Sequence, residues 1–125
     1  MRLIEFEIPE PTPLMNVWQR MHWTARGRLT ISFSWLVKAA VGRVGEPIGQ
    51  CEVEVYRYSS GTPDWDGLYG GLKPLLDCLV VRTKRNPHGL GLIEDDCPSV
   101  IKTLTARPMP AKRKEGKTRV VIREV

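Results

Sequence analysis

The chain has 125 residues, a formal net charge of +5 and a sequence pI near 9.4. That length fits one domain with its own core, and a composition 42% apolar and 26% charged excludes a disordered chain. The excess of basic residues suits an anionic partner, although the same charge also keeps a protein soluble.

Cys51, Cys78 and Cys97 are odd in number and form no C-x-x-C pair, so neither a disulfide framework nor a zinc knuckle is indicated. Cys51 and Cys78 sit in apolar stretches and read as small core residues. The N-terminal "MRLIEFEIPEP" carries Glu5 and Glu7 and has no long apolar run. It reads as neither a leader nor a membrane span, and a cytoplasmic protein is expected.

The first element is "LIEFEI", where Ile4, Phe6 and Ile8 alternate with glutamates as in a half-buried strand. The prolines of "PEPTP" end it. Residues 14–29 mix aromatics with Arg20, Arg26 and Arg28 without a clean period, which predicts a long loop with some helical turns. Residues 30–44 predict a helix, with an apolar face made by Ile31, Trp35, Val37, Ala39 and Val41 and a cap from Thr30 or Ser32. After the turn "GEPIG", residues 50–58 alternate Cys51, Val53 and Val55 with Glu52 and Glu54, a second strand.

Residues 67–81 place Leu68, Leu72, Leu75, Leu76 and Leu79 on one helical stripe. Pro74 lies within it and predicts a kink. Residues 82–91 are a basic loop rich in glycine and proline, and residues 99–107 and 117–124 are strands joined by the turn "PMPAKRKEG". Two helices and a small mixed or antiparallel sheet predict a two-layer α+β domain over residues 1–125.

Two knots of carboxylate stand out in this basic chain: "PDWD" at 63–66 and "EDD" at 94–96. Asp64 and Asp66 are two apart, so an extended chain points both to the same side and offers a half-shell for a hard divalent cation. Asp66 is also a good helix cap. Counting along a helix, Lys73 and Asp77 return to within about 20° of Asp66. Lys73 and Asp77 also form an i, i+4 pair that a plain helix salt bridge would explain. With Glu94, Asp95 and Asp96, at least three carboxylates are expected to converge.

These residues together resemble the RusA family of Holliday junction resolvases, many of them from phages and prophages. The family pattern is Asp-x-Asp-Asn-Leu, a lysine, Asp-x-Leu and a later pair of aspartates. Asp64 and Asp66 match the first pair, Lys73 with Asp77 and Leu79 the lysine segment, and Asp95 and Asp96 the later pair. "PLMN" with Asn16 matches an early proline–asparagine segment more weakly. Gly67 stands where the pattern has asparagine, the spacing from Asp66 to Lys73 is longer, and so is the loop 82–91.

The resemblance implies a RusA-like fold and a magnesium-dependent endonuclease, with Mn²⁺ able to substitute. It would act as a homodimer on four-way DNA junctions in the cytoplasm of a bacterial or phage-infected cell. Asp64, Asp66, Lys73 and Asp96 would be catalytic. Asp64, Asp66 and Asp96 would hold the metal, with Asp95 beside them, and Asp77 and Glu94 would support the ligands from behind. Three basic runs would hold phosphates: Arg20, Arg26 and Arg28; Arg82, Lys84 and Arg85; and Lys112, Arg113, Lys114 and Lys117. Trp18, Trp23 and Trp65 read as core or interface residues. Three alternatives stay open: a branched-DNA binder without catalysis, a nuclease for other branched DNA, and an interaction protein whose acidic cluster is structural.

Overall fold

The computed structural model describes residues 1–125 and builds a two-layer α+β domain. In chain order the elements are β1 (Leu3–Ile8), α1 (Met15–Arg20), α2 (Trp23–Val41), β2 (Cys51–Ser59), α3 (Trp65–Gly70), α4 (Lys73–Leu79), β3 (Ile101–Pro110) and β4 (Lys117–Glu124). The sheet order is β1-β4-β2-β3. β4 runs antiparallel to both β1 and β2, and β2 is parallel to β3. The sheet is therefore mixed, and the β2–β3 crossover carries α3 and α4.

One face of the sheet is dry. Phe6, Ile8, Val53, Val55, Val120 and Ile122 are buried there with Phe33 and Val37 of α2 and Leu75 and Leu79 of α4. Burying each such side chain contributes about 1.5–3 kcal/mol. The other face is polar. Arg119 pairs with Glu5, Arg123 with Glu54 and Lys117 with Glu7 across neighbouring strands. The prolines at 108 and 110 sit on edge strand β3, where they blunt further strand pairing.

Five elements depart from the sequence reading. The segment 14–29 is largely helical: it contains α1 and the first turns of α2, which starts at Trp23 and ends at Val41 instead of spanning 30–44. Its cap is His22, whose Nδ1 accepts from the Thr24 N–H, not Thr30 or Ser32. Thr30 is buried and donates its hydroxyl to the Arg26 carbonyl one turn back. The buried stripe of α2 is Thr30, Phe33 and Val37, so Ile31 and Trp35 lie on the wet side.

The predicted helix 67–81 is two short helices. A Cβ on Gly71 would lie 1.7 Å from the Pro13 carbonyl oxygen, so the glycine lets the chain before α1 cross this point. Pro74 does not kink a helix. It sits in the first turn of α4, where its missing N–H would have no partner anyway. Strands β2 and β3 also run on to Ser59 and Pro110, one and three residues beyond the reading. No helix is long and apolar enough to cross a membrane.

Candidate active site

β1, β2 and β3 all finish at the sheet end where β4 begins, because Ile8 is registered with Thr118, Tyr58 with Lys117, and Ser59 with Pro110. Three connections leave that end: 9–14 into α1, 60–64 into α3, and 111–116 into β4. The two acidic residues of "DWD" and the last basic run are therefore neighbours by topology.

Asp64, not Asp66 as the sequence suggests, is the cap of α3. Its Oδ1 accepts the Gly67 N–H at 2.7 Å. A Cβ at position 67 would lie 2.7 Å from that same oxygen, so the glycine gives the cap its room. Asp66, in the first turn of α3, is left without such a partner. Both aspartates line an open cavity of about 400 Å³, whose facing wall is Asn16 and Gln19 of α1. Asn16 drew only weak notice in the sequence, and Gln19 none. They reach the site because α1 packs on α3, a tertiary fact with no local signature.

The second knot builds a different group. The Lys73 Nζ donates to Asp77 Oδ1 at 2.9 Å, one helical turn on. That hydrogen bond, then the charges of Asp77 and Asp96, raise the lysine pKa against a smaller opposing effect of desolvation. Asp96 lies near the same ammonium. Partial shielding from water, followed by the hydrogen bond and charge of Asp95, pushes its carboxyl pKa up despite that cation. Asp95 moves the other way, chiefly because its Oδ1 accepts the Asp96 N–H at 2.8 Å. The two aspartates thus divide their roles: Asp95 keeps its charge, and Asp96 holds a proton more readily.

No group of three or more His, Cys, Asp or Glu side chains is placed to hold a metal ion. Asp64 and Asp66 share one cavity, and Asp95 and Asp96 gather near Lys73 and Asp77. Asp66, Lys73 and Asp77 do not share one helical face, since α3 ends before α4 begins. Glu94 stands beside Gly49, where the Ile48–Ile93 bridge holds it.

The basic runs divide similarly. Arg20, Arg28, Arg82, Lys84, Arg85, Lys112, Arg113 and Lys114 are exposed. Arg26 instead ties α1 to α2, donating to the carbonyls of Trp18 and Gln19 at 3.0 and 2.7 Å. Lys117 is held over the Tyr58 ring, 4.7 Å from its centroid, and pairs with Glu7 at 3.3 Å. Trp23 and Trp65 are 75% and 61% exposed, so neither is a core residue. Comparison with protein-family models and with curated proteins found no match for this chain.

Proposed function

We propose that the protein is a magnesium-dependent endonuclease that resolves four-way or otherwise branched DNA by paired nicks, as a homodimer. The observation that carries the reading is an acidic notch beside a basic turn. Asp64 and Asp66 open on one cavity at the sheet end, and Lys112, Arg113 and Lys114 line a separate cavity at the same end. A notch of this sign repels phosphate unless a cation intervenes, and the surrounding lysines and arginines attract the same backbone.

The donor set fits Mg²⁺. Two hard carboxylates on one cavity wall, with room for water and a substrate phosphate, are what this ion ordinarily takes from a protein. Asp64 and Asp66 would hold it. The resemblance adds Asp96 with Asp95 beside it, and assigns Asp77 and Glu94 to support. When bound, the ion supplies Lewis-acid polarisation of a scissile phosphate. The chain's own groups do the rest. Lys73 offsets charge that grows on the phosphate oxygens in the transition state. Asp77 keeps that ammonium oriented and fully protonated. Lys112, Arg113 and Lys114 fix the strand by its backbone.

The test is a nicking assay on a labelled four-way junction beside a linear duplex of matching sequence, each with Mg²⁺ or with chelator. Paired nicks on the junction alone, lost with chelator and in D66N, are expected. Nicks that ignore chelator would overturn the reading. A second reading is a branched-DNA binder without catalysis. It predicts tight junction binding, no cutting, and no loss of binding in D66N.

A further inference from the structure

A second cavity, of about 310 Å³, lies between α2 and the loop after α4 and shares no residue with the acidic notch. Trp35 makes one wall, and its side chain is 67% exposed. An indole this open forgoes the burial that tryptophan usually gains. Lys38, Arg82 and His88 line the rest with Ser34 and Leu90, and no acidic residue takes part. Neither Lys38 nor Arg82 belongs to an ion pair. The Lys38 ammonium lies over the Trp35 ring, 5.8 Å from its centroid, so one face of the indole already carries a cation and the other is left for a planar ligand.

The walls are fixed before any ligand arrives. The Ser34 hydroxyl donates to the His88 carbonyl at 3.0 Å, and the Asn86 side-chain amide donates to the Asp77 carbonyl at 2.6 Å. The Leu90 N–H donates to the Cys78 carbonyl at 2.9 Å. Gly89 allows the loop to close on α4, since a Cβ there would lie 2.4 Å from the Val80 carbonyl oxygen. A preformed site loses less entropy on binding.

A flat π surface beside unpaired cations, with no carboxylate, suits a ligand that is both aromatic and anionic. We propose that this cavity takes one unpaired nucleotide of a DNA strand, its base stacked on Trp35 and its phosphate held by Lys38 and Arg82. The proposal rests on the branched-DNA reading, because branch points are where duplex DNA offers unstacked bases. A second copy of the chain is the less suitable occupant: a two-fold contact centred here would bring two sets of the same cations together.

The experiment titrates a dye-labelled short oligothymidylate with the full chain in chelator, so that cutting cannot contribute, over a range of salt. W35A should weaken binding about tenfold, and W35F should retain most of it. R82Q should lower the salt slope by about 0.7. Three results would overturn the proposal: W35A binding within about twofold of the wild type, thymidine monophosphate competing as well as the strand does, or a W35A loss that tracks dissociation of a dimer in sedimentation. An inactive protein that still binds the oligomer through Trp35 would defeat the nuclease reading alone. An active one indifferent to W35A would defeat this proposal alone.

Discussion

Lys73 and Asp77 form an ion pair 2.9 Å long on α4, and Asp96 stands close enough to that lysine to raise its pKa further. The Lys73 side chain is 58% exposed, so the pair contributes no more than about 0.5 kcal/mol to folding. K73M should therefore unfold in urea at nearly the wild-type midpoint. Its junction cutting should fall on the order of a hundredfold, if the ammonium stabilises the transition state. The pH sign is fixed by direction: a lysine pKa raised on folding stabilises fully at neutral pH, and the benefit fades only as pH rises through the alkaline lysine range. A K73M variant that loses stability and activity together at pH 7 would make the pair structural.

Asp64 carries two roles that substitution can separate. As the cap of α3 it accepts the Gly67 N–H, and asparagine can do the same through its amide oxygen. D64N should keep wild-type stability, whereas D64A should lose about 0.5–2 kcal/mol. Both should abolish Mg²⁺-dependent cutting, because neither presents a carboxylate. Equal thermal melts for D64N and D64A would remove the cap, and cutting by D64N would remove the metal role.

Much of this architecture is legible in local sequence, and the misses have identifiable causes. "LIEFEI" and "QCEVEVYRY" alternate cleanly because one sheet face is dry and the other wet. The start of α2 is not legible: Arg20, Arg26 and Gly27 obscure the period, and the cap is a histidine. Trp35 reads as part of the apolar face of a helix over 30–44, yet the stripe that α2 buries is set by Thr30, Phe33 and Val37 against the sheet and α4. The acidic pairs are visible as motifs. That Asp66 does not share a helical face with Lys73 and Asp77 follows from the break at Gly71, where Pro13 approaches from far away in sequence.

Cys78 supplies a prediction at alkaline pH. Its thiol is buried against the carbonyls of Pro74 and Thr30, joining α4 to α2. Burial, then the charge of Asp77, push its pKa up to about 12 from an ordinary 9.0. The unfolded chain therefore ionises this thiol first, so it binds fewer protons than the folded chain between those values. Stability should fall as pH rises through that window. C78A should be less stable at pH 7, by roughly 1–2 kcal/mol for the lost packing, and should show a flatter decline above pH 9 when urea midpoints are compared. At pH 8, half-buried Cys97 should react with a thiol reagent well before buried Cys51 and Cys78.

Lys114 holds a left-handed backbone, φ 70°, the only non-glycine residue to do so. The turn would be less strained with glycine, yet it carries a lysine beside Lys112 and Arg113. K114G should therefore raise stability by up to about 1 kcal/mol. It should also lower the slope of log affinity against log salt for duplex or junction DNA by about 0.9, the effect of one lost phosphate contact. K117A makes the control. Its ammonium already engages Tyr58 and Glu7, so the slope should hold while stability falls by a few tenths of a kcal/mol, roughly the worth of an exposed pair. Opposite movements of stability and affinity in K114G would mark the strained lysine as a DNA contact. A gain in stability with an unchanged slope would show that the turn does not touch the backbone of the nucleic acid.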